Sequence, residues 1–177
     1  MNVLLGITGG IAAYKAADVA SALVKEGHNV RVVLTENAAR FVGPATFDGL
    51  TGHPTMTDTF GDAMAHIEWA KWADVACVAP LTANTMAKLA CGLASDALTT
   101  VLMAIPRGTP VVLAPAMNTE MWLHPATLRN RKWLEDMNRY TIVEPVEKRL
   151  ACGDVGPGAL AEVADLLKAI HAAAERA

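Results

Sequence analysis

The sequence predicts an α/β protein in which a parallel β-sheet is covered by helices on both faces. Apolar runs of strand length alternate along the chain with longer segments whose apolar residues recur every three or four positions. This alternation favours parallel strands joined by right-handed helical crossovers. The 177 residues, 53% of them apolar, can form one sizeable core, and no linker or internal repeat divides them. We therefore expect one domain over residues 1–177.

Five strands and six helices account for most of the chain. The first strand is NVLLGIT, and the helix after it ends at Gly27, a residue common at helix ends. Pro125 opens a later helix, in the first turn, where proline is tolerated. Between residues 36 and 61 only a short helix at 44–50 is predicted, and no strand. The predicted strands cover residues 2–8, 29–35, 74–80, 109–115 and 140–145, and the other helices cover residues 11–27, 82–92, 95–105, 125–138 and 159–177.

Composition and charge exclude several classes of function. A net charge of −3 with mixed signs offers no basic surface for nucleic acid, and no basic amphipathic segment indicates a membrane surface. No apolar run is long enough to cross a bilayer, and the first residues lack the basic start of a signal peptide. We therefore expect a cytoplasmic protein in which backbone N–H groups and hydroxyls contact any phosphate.

The three cysteines form neither a metal-site pattern nor a disulfide framework. Cys77, Cys91 and Cys152 are odd in number and widely spaced, and no Cys/His spacing indicates zinc. We expect reduced cysteines and no metal. Cys77 and Cys91 lie in apolar patterns and are expected to fill the core, whereas Cys152 lies in the glycine-rich ACGDVGPG, where nothing periodic would bury it.

Glycines follow the first predicted strand, in GITGGIAAYK. Gly9 and Gly10 stand between strand and helix, where backbone N–H groups and the helix dipole can bind a phosphate. The spacing is neither that of a P-loop nor the G-x-G-x-x-G of dinucleotide sites. The second strand ends at Thr35, where a dinucleotide-binding fold places an acid, so a mononucleotide is favoured over NAD. A tight turn without a ligand would explain the glycines equally well.

Polar side chains also follow the third and fourth strands. Thr82, Asn84 and Thr85 surround the start of a helix, and Asn118 follows the fourth strand in PAMNTEMW. Each of them could simply cap a helix. Because ligands of open parallel sheets bind at the carboxyl ends of the strands, four polar strand ends favour one shared ligand.

Five motifs resemble those of the homo-oligomeric flavin-containing cysteine decarboxylases, in the same order and over nearly the whole chain. GITGGIAAYKAADV resembles the family's amino-terminal flavin motif, PLTANT its P-A-S-A-N-T motif, PAMNTEMW its P-x-M-N-x-x-M-W substrate motif, and RLACGDVGPG its substrate-clamp loop. His66, in AHIEWAKWADV, falls where the family has its active-site histidine. One departure is Leu81–Thr82 in place of Ala-Ser, which retains the hydroxyl.

The resemblance implies a Rossmann-like (flavodoxin-like) domain that binds FMN, with defined site residues. The catalytic residues would be His66 and Cys152, and the substrate would contact Asn118 and Met121. Helix caps remain the alternative for His66 and Asn118, and a core position for Met121 and Trp122. The family also implies a homotrimer or homododecamer with FMN between subunits and the histidine reaching across. The residues that would contact FMN are Gly9, Gly10, Thr35, Thr82, Ala83, Asn84, Thr85, Ala116 and Met117.

The resemblance is strongest to the coenzyme A branch of the family, whose small-molecule substrate is 4′-phosphopantothenoylcysteine. It implies FMN-dependent decarboxylation to 4′-phosphopantetheine, with His66 in acid–base work, Asn118 on the carboxylate and Cys152 donating a proton. One alternative is oxidative decarboxylation of the carboxy-terminal cysteine of a ribosomally made precursor peptide, with an enethiol product. Another is a non-catalytic regulatory flavoprotein subunit, although such relatives carry acidic extensions absent from this sequence. A flavin prenyltransferase is not favoured, because PAMNTEMW and the cysteine loop resemble those of the decarboxylases.

Overall fold

The structure is a computed structural model that describes residues 1–60, 62, 64–149, 153 and 155–176. The strands are β1 (Asn2–Ile7), β2 (Asn29–Leu34), β3 (Val75–Leu81), β4 (Val111–Pro115), β5 (Tyr140–Ile142), β6 (Val146–Arg149) and β7 (Val155–Ala159). The helices are α1 (Lys15–Lys25), α2 (Glu36–Ala39), α3 (Pro44–Thr51), α4 (Ala65–Trp72), α5 (Ala83–Ala90), α6 (Ala97–Ala104), α7 (Thr119–Leu123), α8 (Pro125–Asp136) and α9 (Val163–Ala174).

The main sheet contains five parallel strands in the order β2-β1-β3-β4-β5. β1 pairs with β2 from Asn2↔Asn29 to Ile7↔Leu34, and β3 lies on the other side of β1. This strand order is flavodoxin-like, and it confirms the predicted fold class. Because the order reverses between β1 and β3, the connections after these strands leave a crevice between them at the carboxyl edge of the sheet.

Each face of this sheet carries its own apolar core. Leu5 of β1 packs in the core with α1, α3 and α9, whereas its neighbour Leu4 packs in the core with α4, α5, α6 and α8. Every residue of β3 is buried, because helices cover the strand on both sides. The expectation of helices on both faces is therefore confirmed. Among the residues described, no helix has the length and apolar character needed to span a membrane.

A second sheet, the antiparallel hairpin of β6 and β7, was not expected from the sequence. Glu147 pairs with Pro157 and Arg149 with Val155. The residues of β7 were predicted to be a glycine-rich loop and the start of the last helix. Glycine and proline are depleted in strands, so Gly156, Pro157 and Gly158 give no local strand signal. The last helix accordingly begins at Val163 rather than at residue 159.

Two smaller expectations also differ from the structure. The first predicted helix begins with a separate 3₁₀ turn over Ile11–Tyr14, and α1 follows it. Cys91 does not fill the core, because α5 ends at Ala90 and leaves Cys91 exposed as the residue after the helix. Cys77, in contrast, is fully buried in β3 as expected.

Candidate active site

A cavity of about 680 Å³ lies at the carboxyl edge of the main sheet, beside the β1–β3 crevice. The connections after β1, β3 and β4 form its floor, and the β6–β7 hairpin forms part of its wall. It brings together eight of the predicted site residues: Gly9, Gly10, Thr82, Ala83, Ala116, Met117, Asn118 and Met121. Its other lining residues are Ile11, Ala12, Tyr14, Lys15, Lys148, Arg149, Gly158, Ala159 and Leu160.

Thr8 joins the two strand ends at the bottom of the crevice. Its side chain is fully buried, and its Oγ1 donates to the carbonyl of Pro80 at 2.7 Å while accepting from the N–H of Thr82 at 2.9 Å. This hydroxyl therefore sets the glycine loop after β1 against the threonine loop after β3. Thr8 was not among the site residues predicted from the sequence, although a hydroxyl directly after a buried strand was a signal that could have identified it.

The two glycines differ in what their backbones approach. A Cβ on Gly9 would lie 2.4 Å from the Cβ of Asn37, so the tight packing of α2 explains this glycine without a ligand. A Cβ on Gly10 would lie 3.5 Å from Thr82, which is an ordinary contact. Both glycines line the cavity, and a side chain on Gly10 would extend toward the threonine loop across the crevice.

Three of the predicted FMN contacts do not line the cavity. Thr35 is the N-cap of α2, and its side chain accepts from the N–H of Ala38 at 3.2 Å. Thr85 is buried inside α5, and Asn84 is exposed on the same helix. Their positions follow from helix geometry, since successive residues of a helix point in different directions and only part of its first turn can face the crevice.

Thr82 and Asn118 line the cavity and also act as helix caps. Thr82 Oγ1 accepts from the N–H of Thr85 at 3.4 Å, and Asn118 Oδ1 accepts from the N–H of Glu120 at 2.8 Å. Capping and ligand binding therefore do not exclude each other. In Asn118 the cap uses the carbonyl oxygen of the amide, and contact with a carboxylate would use the N–H₂ group. Trp122 belongs to the core, whereas Met121 is half exposed.

The β6–β7 hairpin docks onto the segment after β4. The N–H of Met117 donates to the carbonyl of Gly158 at 2.9 Å. Gly158 has φ +139°, and a Cβ there would lie 2.2 Å from the carbonyl oxygen of Met117. A Cβ on Gly156 would lie 2.7 Å from Thr119 Oγ1. Close approach to the Met117 backbone therefore requires glycine at position 158, whereas the Thr119 side chain leaves little room for a Cβ at position 156. These contacts hold the hairpin against the cavity.

Basic side chains supply the positive charge of the cavity wall. Lys148 is ion-paired with Glu162, and the hydrogen bond from Lys148 lowers the pKa of Glu162. Lys15 and Arg149 also line the cavity, and neither forms an ion pair within the described part of the chain. Backbone N–H groups and hydroxyls were the phosphate contacts expected from the sequence, and these three cations were not among the predicted site residues. Two of these cations, Lys148 and Arg149, reach the crevice because they lie on the β6–β7 hairpin.

His66 lies away from this cavity, in the first turn of α4. It does not cap the helix, because Met64 is the N-cap position and no side chain there accepts a capping hydrogen bond. Its Nδ1 is buried and has no hydrogen-bond partner among the residues described. Buried polar atoms are nearly always paired, so this nitrogen calls for a partner from outside the described chain. Cys152, the other predicted catalytic residue, lies outside the described residues.

The cavity fits a ligand with a flat ring system and a phosphate, both of which FMN contains, joined by its ribityl chain. Its volume lies within the roughly 300–1,000 Å³ typical of small-molecule sites. Ile11, Ala12, Met117 and Leu160 offer apolar contact area for a ring. The cationic side chains and the backbone around Gly10 offer groups that can bind a phosphate.

Comparison with known proteins gives a consistent set of relatives. A family model described as Flavoprotein matches residues 1–175. The chain is 49% identical over 171 residues to the "Coenzyme A biosynthesis bifunctional protein CoaBC" of Bacillus subtilis (strain 168), an alignment covering 94% of this chain and 41% of that protein. The chain thus spans about two fifths of the length of that bifunctional relative.

Two further relatives match over nearly their whole length. The "Probable phosphopantothenoylcysteine decarboxylase" of Streptococcus mutans serotype c is 40% identical over 174 residues, which cover 96% of this chain and 97% of that protein. Among solved structures, a PPC decarboxylase mutant complexed with pantothenoylaminoethenethiol superposes with a TM-score of 0.86 at 35% identity. That comparison covers 97% of this chain and 96% of the other.

Proposed function

Because this chain belongs to the flavoprotein family, we propose that it is an FMN-dependent decarboxylase of 4′-phosphopantothenoylcysteine in coenzyme A synthesis. The product would be 4′-phosphopantetheine. The Streptococcus mutans relative supports this substrate, since it matches over nearly its whole length and is named a probable phosphopantothenoylcysteine decarboxylase. The enethiol in the name of the structural neighbour's ligand supports it too, because a cysteine that has lost CO₂ after oxidation at sulfur becomes an enethiol.

The observation that carries the proposal is the cavity at the β1–β3 crevice. It combines a substrate-motif amide, Asn118, with a glycine loop, an apolar wall and three cations. Both FMN and the proposed substrate bear a phosphate, so a wall with several cations suits the pair. Lys15 extends from the glycine-loop side, whereas Lys148 and Arg149 come from the hairpin.

The reaction needs an electron sink before CO₂ can leave. The cysteine carboxylate has none, because the carbanion left behind would lie beside an amide nitrogen. When bound, FMN supplies the two-electron redox chemistry that interconverts the thiol and thioaldehyde levels of the substrate. With the thioaldehyde in place, the C=S group accepts the electrons released with CO₂, and the substrate becomes an enethiolate.

Asn118 would orient the carboxylate through its amide N–H₂ group. The hydrogen bond to the N–H of Glu120 fixes the side chain, so the amide is held in one direction. A neutral donor holds the carboxylate without the strong ground-state stabilisation that a lysine would give. Because catalysis depends on binding the transition state more strongly than the substrate, this choice favours loss of CO₂.

His66 would act as the acid–base group in the cavity of a neighbouring subunit. Within one chain it lies away from the cavity, and its buried Nδ1 has no described partner. Large apolar side chains near it and near the cavity are exposed, including Phe60 at 95%, Met64 at 57% and Tyr14 at 60%. Such residues are typical of an interface between subunits. We propose a homotrimer, alone or as part of a homododecamer, that buries them.

Cys152 would donate the proton that completes reduction of the enethiolate to the saturated thiol. A thiol with an ordinary pKa of about 8.5 is mostly protonated near neutral pH and can therefore act as a donor. The reducing cytoplasm would keep this thiol available.

The direct test is to incubate the purified, FMN-loaded protein with phosphopantothenoylcysteine and to follow CO₂ loss by mass spectrometry. Protein that takes up no FMN, or that leaves this compound unchanged while decarboxylating peptides ending in cysteine, would contradict the proposal.

His66→Ala and Asn118→Ala should abolish CO₂ release and retain FMN, whereas the control His53→Ala should keep full activity. Cys152→Ser should release CO₂ but leave a product two hydrogens lighter than phosphopantetheine.

Mixing the two inactive variants tests the exchange of His66 between subunits. In randomly mixed oligomers of His66→Ala and Asn118→Ala chains, about one cavity in four would combine an intact Asn118 with a neighbour's intact His66. Activity should therefore return to about a quarter of the wild-type level. If every mixture stays inactive after subunit exchange has been verified, His66 acts within its own chain or not at all.

A further inference from the structure

Three side chains meet near the amino-terminal end of β2, at the opposite end of the strands from the cavity. Glu26 follows the end of α1, His28 lies just before β2, and His171 lies in the last turn of α9. The Nε2 atoms of His28 and His171 are 3.2 Å apart. Glu26 Oε2 lies 3.5 Å from the first nitrogen and 3.1 Å from the second. We call these three residues the Glu26 cluster.

Hydrogen bonding alone does not satisfy all three contacts of the Glu26 cluster. A carboxylate oxygen is only an acceptor, and a neutral imidazole presents at Nε2 either one N–H or one lone pair. A hydrogen atom on His171 Nε2 can point at Glu26 or at His28, but not fully at both. Hydrogen atoms on both nitrogens would face each other across 3.2 Å. A single cation placed among the three atoms would satisfy all of them together.

The spacing of the three atoms is that of ligands around a tetrahedral metal ion. Zinc binds histidine nitrogen at about 2.0–2.1 Å and carboxylate oxygen at about 2.0–2.2 Å, which places neighbouring ligand atoms roughly 3.3 Å apart. The observed separations of 3.1, 3.2 and 3.5 Å bracket this value. A point about 2.05 Å from all three atoms lies less than about 1 Å above their plane, close to the centre of a tetrahedron.

We propose that the Glu26 cluster is a binding site for a divalent transition-metal ion, with zinc as the ion that best fits two imidazoles and one carboxylate. Side chains exposed by 19% for His28, 37% for His171 and 40% for Glu26 leave an entry path. Water would occupy the fourth ligand position.

A metal ion in the Glu26 cluster would tie the last helix to the start of the fold. The two histidines are 143 residues apart in sequence and come together only in the folded chain. An ion that binds the folded state and not the unfolded chain stabilises folding by mass action. The site would therefore fasten α9 to the α1–β2 connection, away from the proposed chemistry.

The test uses the FMN-loaded protein without a polyhistidine tag and zinc chloride as the probe. Competition with a chromogenic chelator and elemental analysis after dialysis should give one zinc ion per chain, and the midpoint of thermal unfolding should rise. His171→Gln and Glu26→Gln should each weaken zinc binding by at least about tenfold and remove most of the thermal shift. Magnesium should not compete, because it prefers an octahedral set of oxygen ligands.

The control variant His53→Gln removes a histidine outside the cluster, and it should bind zinc as the wild type does. Each variant is first melted without zinc, which verifies that it is folded. The proposal is overturned if zinc does not bind below millimolar concentration. It is equally overturned if both cluster variants bind zinc like the wild type, or if alkylation of exposed thiols, rather than these substitutions, abolishes binding.

Discussion

Gly158→Ala should undock the hairpin from the cavity while leaving the main sheet folded. Gly158 has φ +139°, a backbone conformation adopted almost only by glycine. A Cβ there would lie 2.2 Å from the carbonyl oxygen of Met117, so the alanine variant can dock only after the backbones separate. Separation breaks the hydrogen bond from the N–H of Met117 to the carbonyl of Gly158.

The size of the effect follows from the backbone strain at residue 158 and from the lost hydrogen bond between Met117 and Gly158. Backbone strain of this kind costs about 1–3 kcal/mol, and loss of one hydrogen bond costs about 0.5–1.5 kcal/mol. The sum of about 1.5–4.5 kcal/mol shifts the balance between docked and undocked hairpin by roughly 10- to 2,000-fold. Because the hairpin carries Lys148 and Arg149 to the cavity, we expect the rate of phosphopantetheine formation to fall more than twofold, and by at most that factor.

Steady-state turnover measures the predicted loss of activity, and hydrogen exchange measures the predicted undocking of the hairpin. Amides of β6 and β7 should exchange faster in the variant, while those of β1 and β3 should keep their protection. The matched control is Gly27→Ala, a second glycine with positive φ, +82°, that has open space around its Cβ position and lies at the far edge of the sheet. It should lower the melting temperature by about 2–4 °C without changing turnover. Turnover within twofold of wild type in Gly158→Ala, with unchanged exchange in the hairpin, would refute the reasoning.

Three further predictions concern the rest of the fold. Burial raises the pKa of Cys77 to about 12, so a thiol reagent at pH 8 should modify the exposed Cys91 in the folded protein and leave Cys77 unmodified until the chain unfolds. Asp96→Asn should destabilise the protein by about 1–2 kcal/mol at pH 7, as measured by urea unfolding, because Asp96 caps α6 and pairs with Lys88 at 2.7 Å. Burial would raise the pKa of Asp96, but hydrogen bonds from Lys88 and Thr99 outweigh the burial and lower the pKa. The Asp96 carboxylate therefore stabilises the fold above its ordinary pKa of 3.8. As the pH falls below that value, the difference in unfolding free energy between wild type and Asp96→Asn should shrink. Phe47→Ala should cost about 3–5 kcal/mol in the same assay, because the side chain is fully buried; a loss under 1 kcal/mol would contradict the packing of α3.

The sequence determined the parts of this protein that depend on local periodicity and on short motifs. Alternating apolar runs predicted the strands of the main sheet, since a buried strand needs a run of apolar residues wherever it lies in the chain. The glycines after β1 and the polar residues after β2, β3 and β4 predicted a shared site, because parallel strands that begin at one edge must end together at the other. Thr82 and Asn118 were identified in this way, and both line the cavity.

The tertiary structure decided the features that arise from contacts between distant segments. The β6–β7 hairpin has glycine and proline where a strand would show its pattern, and its docking on Met117 stabilises it instead. Lys148 reaches the cavity only through that docking. The sequence also does not show that, within one chain, His66 lies away from the cavity that Asn118 lines. The Glu26 cluster is the clearest case, because no sequence pattern relates His28 to a histidine 143 residues away. Periodicity reports on the environment of one segment, whereas a site made from several segments depends on how their backbones pack, and that packing is a property of the whole fold.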